Sequence, residues 1–108
     1  MSRSLRASTD VILRTAQWSK ALRFYNKVLG LPVVHRSKTV AGFDTGSFCL
    51  YVEKGNAHGP VFEFLAPDVQ AAKKRLIAQG CVVVEEDRSV PRCYLRDPFG
   101  LVFNIGQG

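Results

Sequence analysis

The feature that most constrains the fold of this chain is an internal duplication of one pattern of strands and a helix. The first copy covers residues 10–53, where a β-rich run is followed by an amphipathic helix from Trp18 to Leu29 and by three strand-like runs. The second copy covers residues 61–105 and repeats the same order, with Pro67 opening its helix. The sequence therefore predicts two βαβββ modules.

Paired modules of this kind predict an α+β fold with a curled mixed sheet around a cavity and the helices on its outer face. The segment Gly55–Pro60, rich in glycine and ending in proline, is typical of a linker between the two modules. We expect residues 10–108 to form one domain, because a chain of 108 residues is too short for two independent ones. Residues 1–9 are mostly polar and are predicted to be a flexible N-terminal tail.

Composition and charge exclude several classes of protein. The chain is 46% hydrophobic, which is ordinary for a globular domain, and it has no apolar stretch of the ~20 residues that a membrane helix requires. The net charge is +6, but the single basic run, Lys73–Arg75, lies on the second helix without an aromatic or glycine-rich platform. We expect no nucleic-acid and no membrane partner. Three cysteines without CxxC spacing predict reduced thiols and a cytoplasmic protein.

Three segments together resemble the vicinal oxygen chelate superfamily. Residues 18–31 are similar to its first-helix signature, residues 67–80 to its second, and Tyr94–Asn104 to its terminal hairpin, here with the turn Asp97–Gly100. The superfamily contains glyoxalase I, extradiol dioxygenases, fosfomycin-resistance transferases, an epimerase and bleomycin-resistance proteins. The resemblance covers nearly the whole chain and implies the fold, whereas one fold of this kind hosts several chemistries.

The resemblance also implies where a divalent metal ion would be held, through one inward side chain on each of four strands. Counting from the family motifs gives Asp10, Leu50, Val61 and Asn104. Two of these are apolar and Asn104 is a weak neutral ligand, whereas catalytic metal sites need about three suitable protein ligands. We therefore expect no metal and no other cofactor. A shift of one residue in the fourth strand would bring Cys49 or Tyr51 inward, which does not restore a ligand set.

Strand alternation predicts which polar side chains share the cavity face. The resulting candidate ligand-binding residues are Asp10, Arg14, Leu50, Val61, Glu63 and Asn104. Arg14 is the expected partner of Glu63, since a carboxylate between two phenylalanines requires one. The alternatives to ligand contact are a salt-bridged structural network at the sheet edge or at a subunit interface, and a part in catalysis.

The leading functional hypothesis is a metal-free glyoxalase- or bleomycin-resistance-like protein that binds a small organic molecule, as resistance and sequestration proteins do. The positive net charge favours an anionic or aromatic ligand. The alternative is an enzyme of glyoxalase, dioxygenase or isomerase type with a remodelled site. A third hypothesis is a structural module whose cavity is filled by side chains such as Phe43, Phe48 and Phe99. We also expect a two-fold homodimer, because exposed strand edges are usually covered.

The helical and strand periodicities predict a set of buried side chains beneath the two helices. This set consists of Val11, Leu13, Phe24, Tyr25, Val28, Leu29, Phe62, Phe64, Leu76 and Phe103.

Overall fold

A computed structural model of the protein describes residues 5–108, and these form strands and helices in the predicted order. The strands are β1 Arg6–Thr15, β2 Val33–Arg36, β3 Val40–Asp44, β4 Cys49–Lys54, β5 His58–Ala66, β6 Val82–Asp87, β7 Arg92–Arg96 and β8 Val102–Gln107. The helices are α1 Trp18–Arg23, a π-helix Phe24–Val28 that continues it, and α2 Val69–Ala78. None of the helices within residues 5–108 is long and apolar enough to cross a membrane.

Two predicted boundaries are wrong. Residues 6–9 belong to β1 and not to a flexible tail, because main-chain pairing, which needs no apolar side chains, extends the strand through this polar segment; residues 1–4 of the predicted tail lie outside the described residues. The second helix begins after Asp68, whose side-chain oxygen accepts a hydrogen bond from Ala71 N–H at 3.0 Å. An aspartate at the N-cap therefore starts this helix, and Pro67 precedes it.

The chain divides into two compact units. The first unit is Thr9–Pro60, with strand order β2-β3-β4-β1; the second is Val61–Gly108 together with the described residues before Thr9, with order β5-β8-β7-β6. Within each unit the first and last strands pair in parallel and the other pairs are antiparallel. The fold is therefore α+β with mixed pairing, built from a repeated βαβββ pattern.

The core of the first unit lies between α1 and its strands. Trp18 and Leu22 of α1 pack against Ala41, Phe43 and Val52, all of them buried. The indole Nε1 of Trp18 donates a hydrogen bond to the carbonyl oxygen of Val52 at 3.1 Å, which satisfies the polar atom of a buried aromatic side chain.

The core of the second unit lies under α2. Its central side chains are Leu95, Phe103 and Ile105, and the half-buried Phe64 packs against them with its ring edge-on to Phe103 at 5.1 Å between centroids. Leu76 of α2 contacts the same cluster. Side chains on the other face of these strands point away from the helix, and this open face contributes to the cavity described below.

Several predicted core residues prove to be exposed. Phe103 is buried, and five others are half-buried: Val11, Leu13, Tyr25, Phe64 and Leu76. The exceptions are Phe24, Val28, Leu29 and Phe62, which are about half exposed or more. Three of these follow the change from α- to π-helix at Phe24, which alters the number of residues per turn and so ends the periodicity on which the prediction relied.

Candidate functional site

The second unit contains an opening between two strands that are neighbours in its sheet. The antiparallel pairing of β7 with β8 stops at Tyr94↔Asn104, while β8 continues to pair with β5 as far as Ala66↔Gln107. Beyond Asn104, therefore, β8 is paired on one side only. The gap on the other side is where the cavity forms.

The side chain of Asn104 bridges the start of this opening. Its Oδ1 accepts a hydrogen bond from the main-chain N–H of Cys93 at 2.9 Å, and its Nδ2 donates to Oε2 of Glu63 at 2.9 Å. A main-chain N–H can only donate and a carboxylate can only accept, so these two partners fix the orientation of the amide. Asn104 thus substitutes for a main-chain partner of β7 and at the same time positions the Glu63 carboxylate.

Gly106 leaves room for this carboxylate. A Cβ built at Gly106 would come within 3.0 Å of Glu63 Oε2 and within 3.2 Å of Leu65 Cδ2. Glu63 pairs with Asn104 and Leu65 with Gly106 between β5 and β8, so all four lie on the open face. The missing side chain at Gly106 is therefore part of the site.

The opening leads into a cavity of about 770 Å³, within the range of small-molecule sites. Its apolar lining includes Leu65 and Ile105. Its polar lining consists of Glu63, Gln70, Glu86, Arg88, Arg92, Asn104 and Gln107. Apolar surface combined with several polar groups can bind an organic molecule in one orientation.

Arg92 is held in place by two neighbours. Its Nη1 donates to Oε2 of Glu85 at 3.0 Å, and its guanidinium lies 5.2 Å from the centroid of the Tyr94 ring. The charge of Arg92 is thus compensated by Glu85. The sequence places Arg92 and Tyr94 on one face of the seventh strand, and the structure shows Arg92 in the cavity wall and Tyr94 buried.

Two further cavity residues have shifted pKa values. The Lys73 ammonium, 2.7 Å from an oxygen of Glu86, lowers the pKa of that carboxyl group. Burial raises the pKa of the Cys93 thiol, and the negative charge of Glu86 adds to the effect. Cys93 is therefore protonated at neutral pH, which makes it a poor nucleophile.

The structure brings together two of the six predicted site residues, Glu63 and Asn104. The hydrogen-bond partner shown for Glu63 is thus the Asn104 amide, whereas Arg14, its expected partner, donates from Nε to the carbonyl oxygen of Asn56 at 2.7 Å. Val61 is buried, with 1% of its surface exposed.

Asp10, Arg14 and Leu50 belong to the first unit. Leu50 was expected on the cavity face, and this prediction is wrong because Leu50 packs against the core beneath α1. Its strand reads Cys-Leu-Tyr-Val, with no alternation to indicate the buried face. Asp10 and Arg14 pair with Cys49 and Glu53, on the face opposite to that of Leu50, and their part in a ligand site stays a prediction.

The residues present do not fit the metal site that the superfamily implies. Leu50 and Val61 have no donor atom, and both ends of the Asn104 amide are already engaged. Within residues 5–108 no three side chains of His, Cys, Asp or Glu are grouped as metal ligands, and every buried side-chain nitrogen and oxygen has a hydrogen-bond partner. No step of a reaction is therefore derived through a metal ion.

Sequence reasoning missed the contributions of Gly106 and Cys93. Neither carries a side chain that suggests binding, and Cys93 acts through its main-chain N–H. The signal available in the sequence was the buried-strand asparagine itself, since an amide in a strand interior requires polar partners on neighbouring strands.

Comparison with known proteins supports this description of the fold. A family model for a glyoxalase-like domain matches residues 10–106. No curated protein matches the chain. Among solved structures, a hypothetical protein from Bacillus halodurans is similar over 98% of this chain and 96% of its own, with 10% identity and a TM-score of 0.70.

Two further structures extend the comparison. A glyoxalase/bleomycin resistance protein/dioxygenase superfamily member from Vibrio splendidus has 17% identity and a TM-score of 0.66, over 97% of this chain and all of its own. Homoprotocatechuate 2,3-dioxygenase from Brevibacterium fuscum has 20% identity and a TM-score of 0.69, over 96% of this chain but 37% of its own. At these identities the structures show a shared fold, and the family match shows descent: the chain belongs to the glyoxalase-like domain family of the vicinal oxygen chelate superfamily.

Proposed function

We propose that this protein binds a small organic molecule in the cavity of its second unit, without a metal ion, as a sequestering member of its family. The observation that carries the proposal is the Glu63–Asn104 pair, which presents a positioned carboxylate to a cavity lined by both apolar and polar side chains. The carboxylate is positioned on one side by the amide, and the cavity has the volume for a ligand of drug-like size.

The polar groups of the cavity favour a ligand with a hydrogen-bond donor. Glu63 offers an acceptor, whereas the positive charge of Arg92 is compensated by Glu85 and Arg88 lies near the Glu86 carboxylate. The second unit from Val61 to Gly108 contains six acidic and six basic residues, so the net charge of the chain does not favour an anion here. An aromatic or aliphatic alcohol or amine suits this cavity better than a carboxylate.

A screen by nuclear magnetic resonance tests the proposal. Aromatic alcohols, amines and carboxylates are added to ¹⁵N-labelled protein, and we expect alcohols or amines to shift the amide signals of Glu63, Cys93 and Gly106. The variant Glu63→Gln removes the charged acceptor and should weaken binding about tenfold or more, since a hydrogen bond to a charged group contributes ~1.5–3 kcal/mol. The matched control is Glu53→Gln, which changes the net charge equally in the first unit. Fragments that bind both variants alike would refute the proposal.

Gly106→Ala is a sharper variant. The added methyl group would meet Glu63 Oε2 at 3.0 Å and displace the carboxylate without removing it. We expect ligand affinity to fall while the thermal midpoint falls less than in Asn104→Leu, because the nearest atom that must move is the end of a flexible side chain. Unchanged affinity would show that the position of Glu63 is irrelevant to binding.

A second candidate function is a proton-transfer isomerase, and the placement of Glu63 favours it over the other enzyme types. A carboxylate on the wall of a cavity can accept a proton from a carbon acid and return it. In that case Glu63→Gln would bind the ligand and lose exchange of its acidic hydrogen with solvent deuterium. If the unaltered protein binds the ligand but does not exchange its acidic hydrogen with solvent, the result supports sequestration instead.

We further propose a cytoplasmic homodimer. The free cysteines, two of them buried, suit a reducing compartment. Light scattering should give about twice the chain mass of 12.0 kDa, and metal analysis of the purified protein should give no stoichiometric metal. A mass near 12.0 kDa would reject the dimer, and stoichiometric iron, manganese, nickel or zinc would reject metal-free binding.

A further inference from the structure

The positive charge of this protein is concentrated in one stretch of the first unit. Residues 11–43 contain six lysine and arginine residues and no aspartate or glutamate. The acidic residues that flank this stretch are Asp10 and Asp44, and Asp44 Oδ1 accepts a hydrogen bond from Gly46 N–H at 2.8 Å. The segment that forms α1, the π-helix, β2 and most of β3 thus has no opposite charge of its own.

A second cavity, of about 270 Å³, lies within this segment, between its helical part and β2–β3. We call it the basic cleft. Its floor consists of side chains that are almost fully buried, and its rim consists of exposed cations: the floor is Leu22, Ala41 and Phe43, and the rim is Arg23, Lys27 and Arg36. None of the residues that line it, all within the described part of the chain, is acidic.

Local contacts hold the walls of the basic cleft. The Arg36 guanidinium lies 5.2 Å from the centroid of the Trp18 ring, a cation–π distance, and the Trp18 indole is fixed by its hydrogen bond to Val52. On the helical side, Nδ2 of Asn26 donates to the carbonyl oxygen of Leu31 at 2.9 Å, which closes the turn after the π-helix. Short π-helical segments are frequent at functional sites.

We propose that the basic cleft binds a small organic anion with an apolar body, such as a medium-chain or aromatic carboxylate. The apolar floor removes the body of the ligand from water, and the guanidinium and ammonium groups of the rim bind its carboxylate through charge-assisted hydrogen bonds. The volume lies just below the ~300–1,000 Å³ that is usual for ligand sites, so the ligand is small. This site belongs to the first unit and is independent of the function proposed for the second.

The probe for this proposal is octanoate, compared with octanol and octylammonium. The sole tryptophan, Trp18, touches the rim through Arg36, so its fluorescence reports binding directly. We expect octanoate to change Trp18 emission and to shift amide signals of Arg23, Lys27 and Arg36, with weaker binding at high salt because the charges are exposed. Octanol should bind more weakly, and octylammonium should not bind.

Two double variants separate a local effect from one of net charge. Arg23→Gln with Lys27→Gln removes two rim cations, whereas Lys74→Gln with Arg75→Gln removes two cations from α2. We expect the first pair to weaken octanoate binding about five- to tenfold, as two exposed ion pairs would, and the second pair to leave it unchanged. Arg36→Gln, which alters no helical residue, gives the same comparison if the first pair impairs folding.

Three results would overturn the proposal. Equal binding of octanoate and octylammonium would show that the cations are irrelevant. Octanoate-induced shifts confined to Glu63, Asn104 and their neighbours would place the ligand in the second unit. Cosedimentation with vesicles containing phosphatidylglycerol, without any response to free octanoate, would identify a membrane surface rather than a free anion as the partner.

Discussion

The two units have the same strand order, yet the hairpin that completes each sheet differs between them. In the first unit β3 pairs with β4 along its length, from Val40↔Glu53 to Asp44↔Cys49. In the second unit the pairing of β7 with β8 stops at Tyr94↔Asn104. The main-chain N–H of Cys93 donates to the side chain of Asn104 instead of to the main chain of β8. In the second unit the ladder thus ends where a polar side chain bonds the main chain of the neighbouring strand.

The open faces of the two hairpins differ accordingly. In the first unit the Tyr51 ring lies across Gly42, where a Cβ would come within 2.8 Å of the ring carbon Cε1, and His35 lies beside it with a ring-centroid distance of 6.1 Å. In the second unit the glycine, Gly106, accommodates a carboxylate instead. The space beside a strand glycine is therefore filled by an aromatic ring in one unit and by a carboxylate in the other.

The largest expected effect tests whether each unit has its own core. Phe43 of the first unit and Leu95 of the second are almost fully buried. Phe43→Ala should lower the free energy of unfolding by about 3–5 kcal/mol and Leu95→Ala by about 2–5 kcal/mol, because each leaves a cavity. Leu29→Ala, at a residue 54% exposed, is the control and should cost far less. Urea unfolding measures all three, and an equal cost at Leu29 would contradict the assigned cores.

The second prediction compares two asparagines, one in each unit. Asn104→Leu leaves the Cys93 N–H and the Glu63 carboxylate without their partner and should cost about 1–3 kcal/mol. Asn26→Leu removes a single bond to Leu31 at a half-buried site and should cost less, about 0.5–1.5 kcal/mol. The free energy of unfolding gives the comparison. If Asn26→Leu were the more harmful change, the bridging role of Asn104 would be wrong.

The third prediction compares the starts of the two helices. Asp68 caps α2 through its bond to Ala71 N–H, whereas Gln17 before α1 makes no side-chain capping bond. Asp68→Ala should therefore destabilise the protein by about 1 kcal/mol, and Gln17→Ala should change the stability little. The midpoints of urea unfolding give both values. A loss at Gln17 as large as that at Asp68 would show that capping does not distinguish the helices.

The smallest expected effect concerns pH. The pKa of Glu86 is lowered in the folded protein, mainly by its hydrogen bond to Lys73. A lowered folded pKa contributes stability above the unfolded pKa, and this contribution is lost as pH falls through the folded value. Lys73→Gln should thus lower the free energy of unfolding at about pH 7 and leave it unaltered once Glu86 is protonated in both states. Lys74→Gln, one residue along, should show no such pH-dependent difference.

The order of elements could be predicted because most changes of periodicity in the sequence coincide with turn residues, such as Gly30, Gly46 and Gly80. It was harder to predict which face of each element is buried. Leu50 lies in a strand that is apolar at successive positions. Val28 and Leu29 follow the change from α- to π-helix, which no residue type in the sequence indicates. Periodicity determines a face only where the pattern alternates and the backbone keeps one geometry.

The candidate site was predictable in part. Glu63 and Asn104 were expected on one face from strand alternation, and the structure pairs them directly between β5 and β8. The contribution of Gly106 was not predictable, because the space beside a glycine depends on the neighbouring strand. The basic cleft was missed for a different reason: its cations are scattered along the sequence and come together only when the helix packs against β2 and β3.

The segregation of charge also affects how the protein behaves in solution near its isoelectric point. The sequence gives an isoelectric point of about 9.6, where the average charge of a molecule is zero. The arginines of residues 11–43 remain charged at that pH, so the balance is reached only because other segments have become negative. Molecules with no net charge but with separate positive and negative regions attract each other through the oppositely charged regions. Solubility should therefore be lowest there and recover on adding salt, the reverse of salting out.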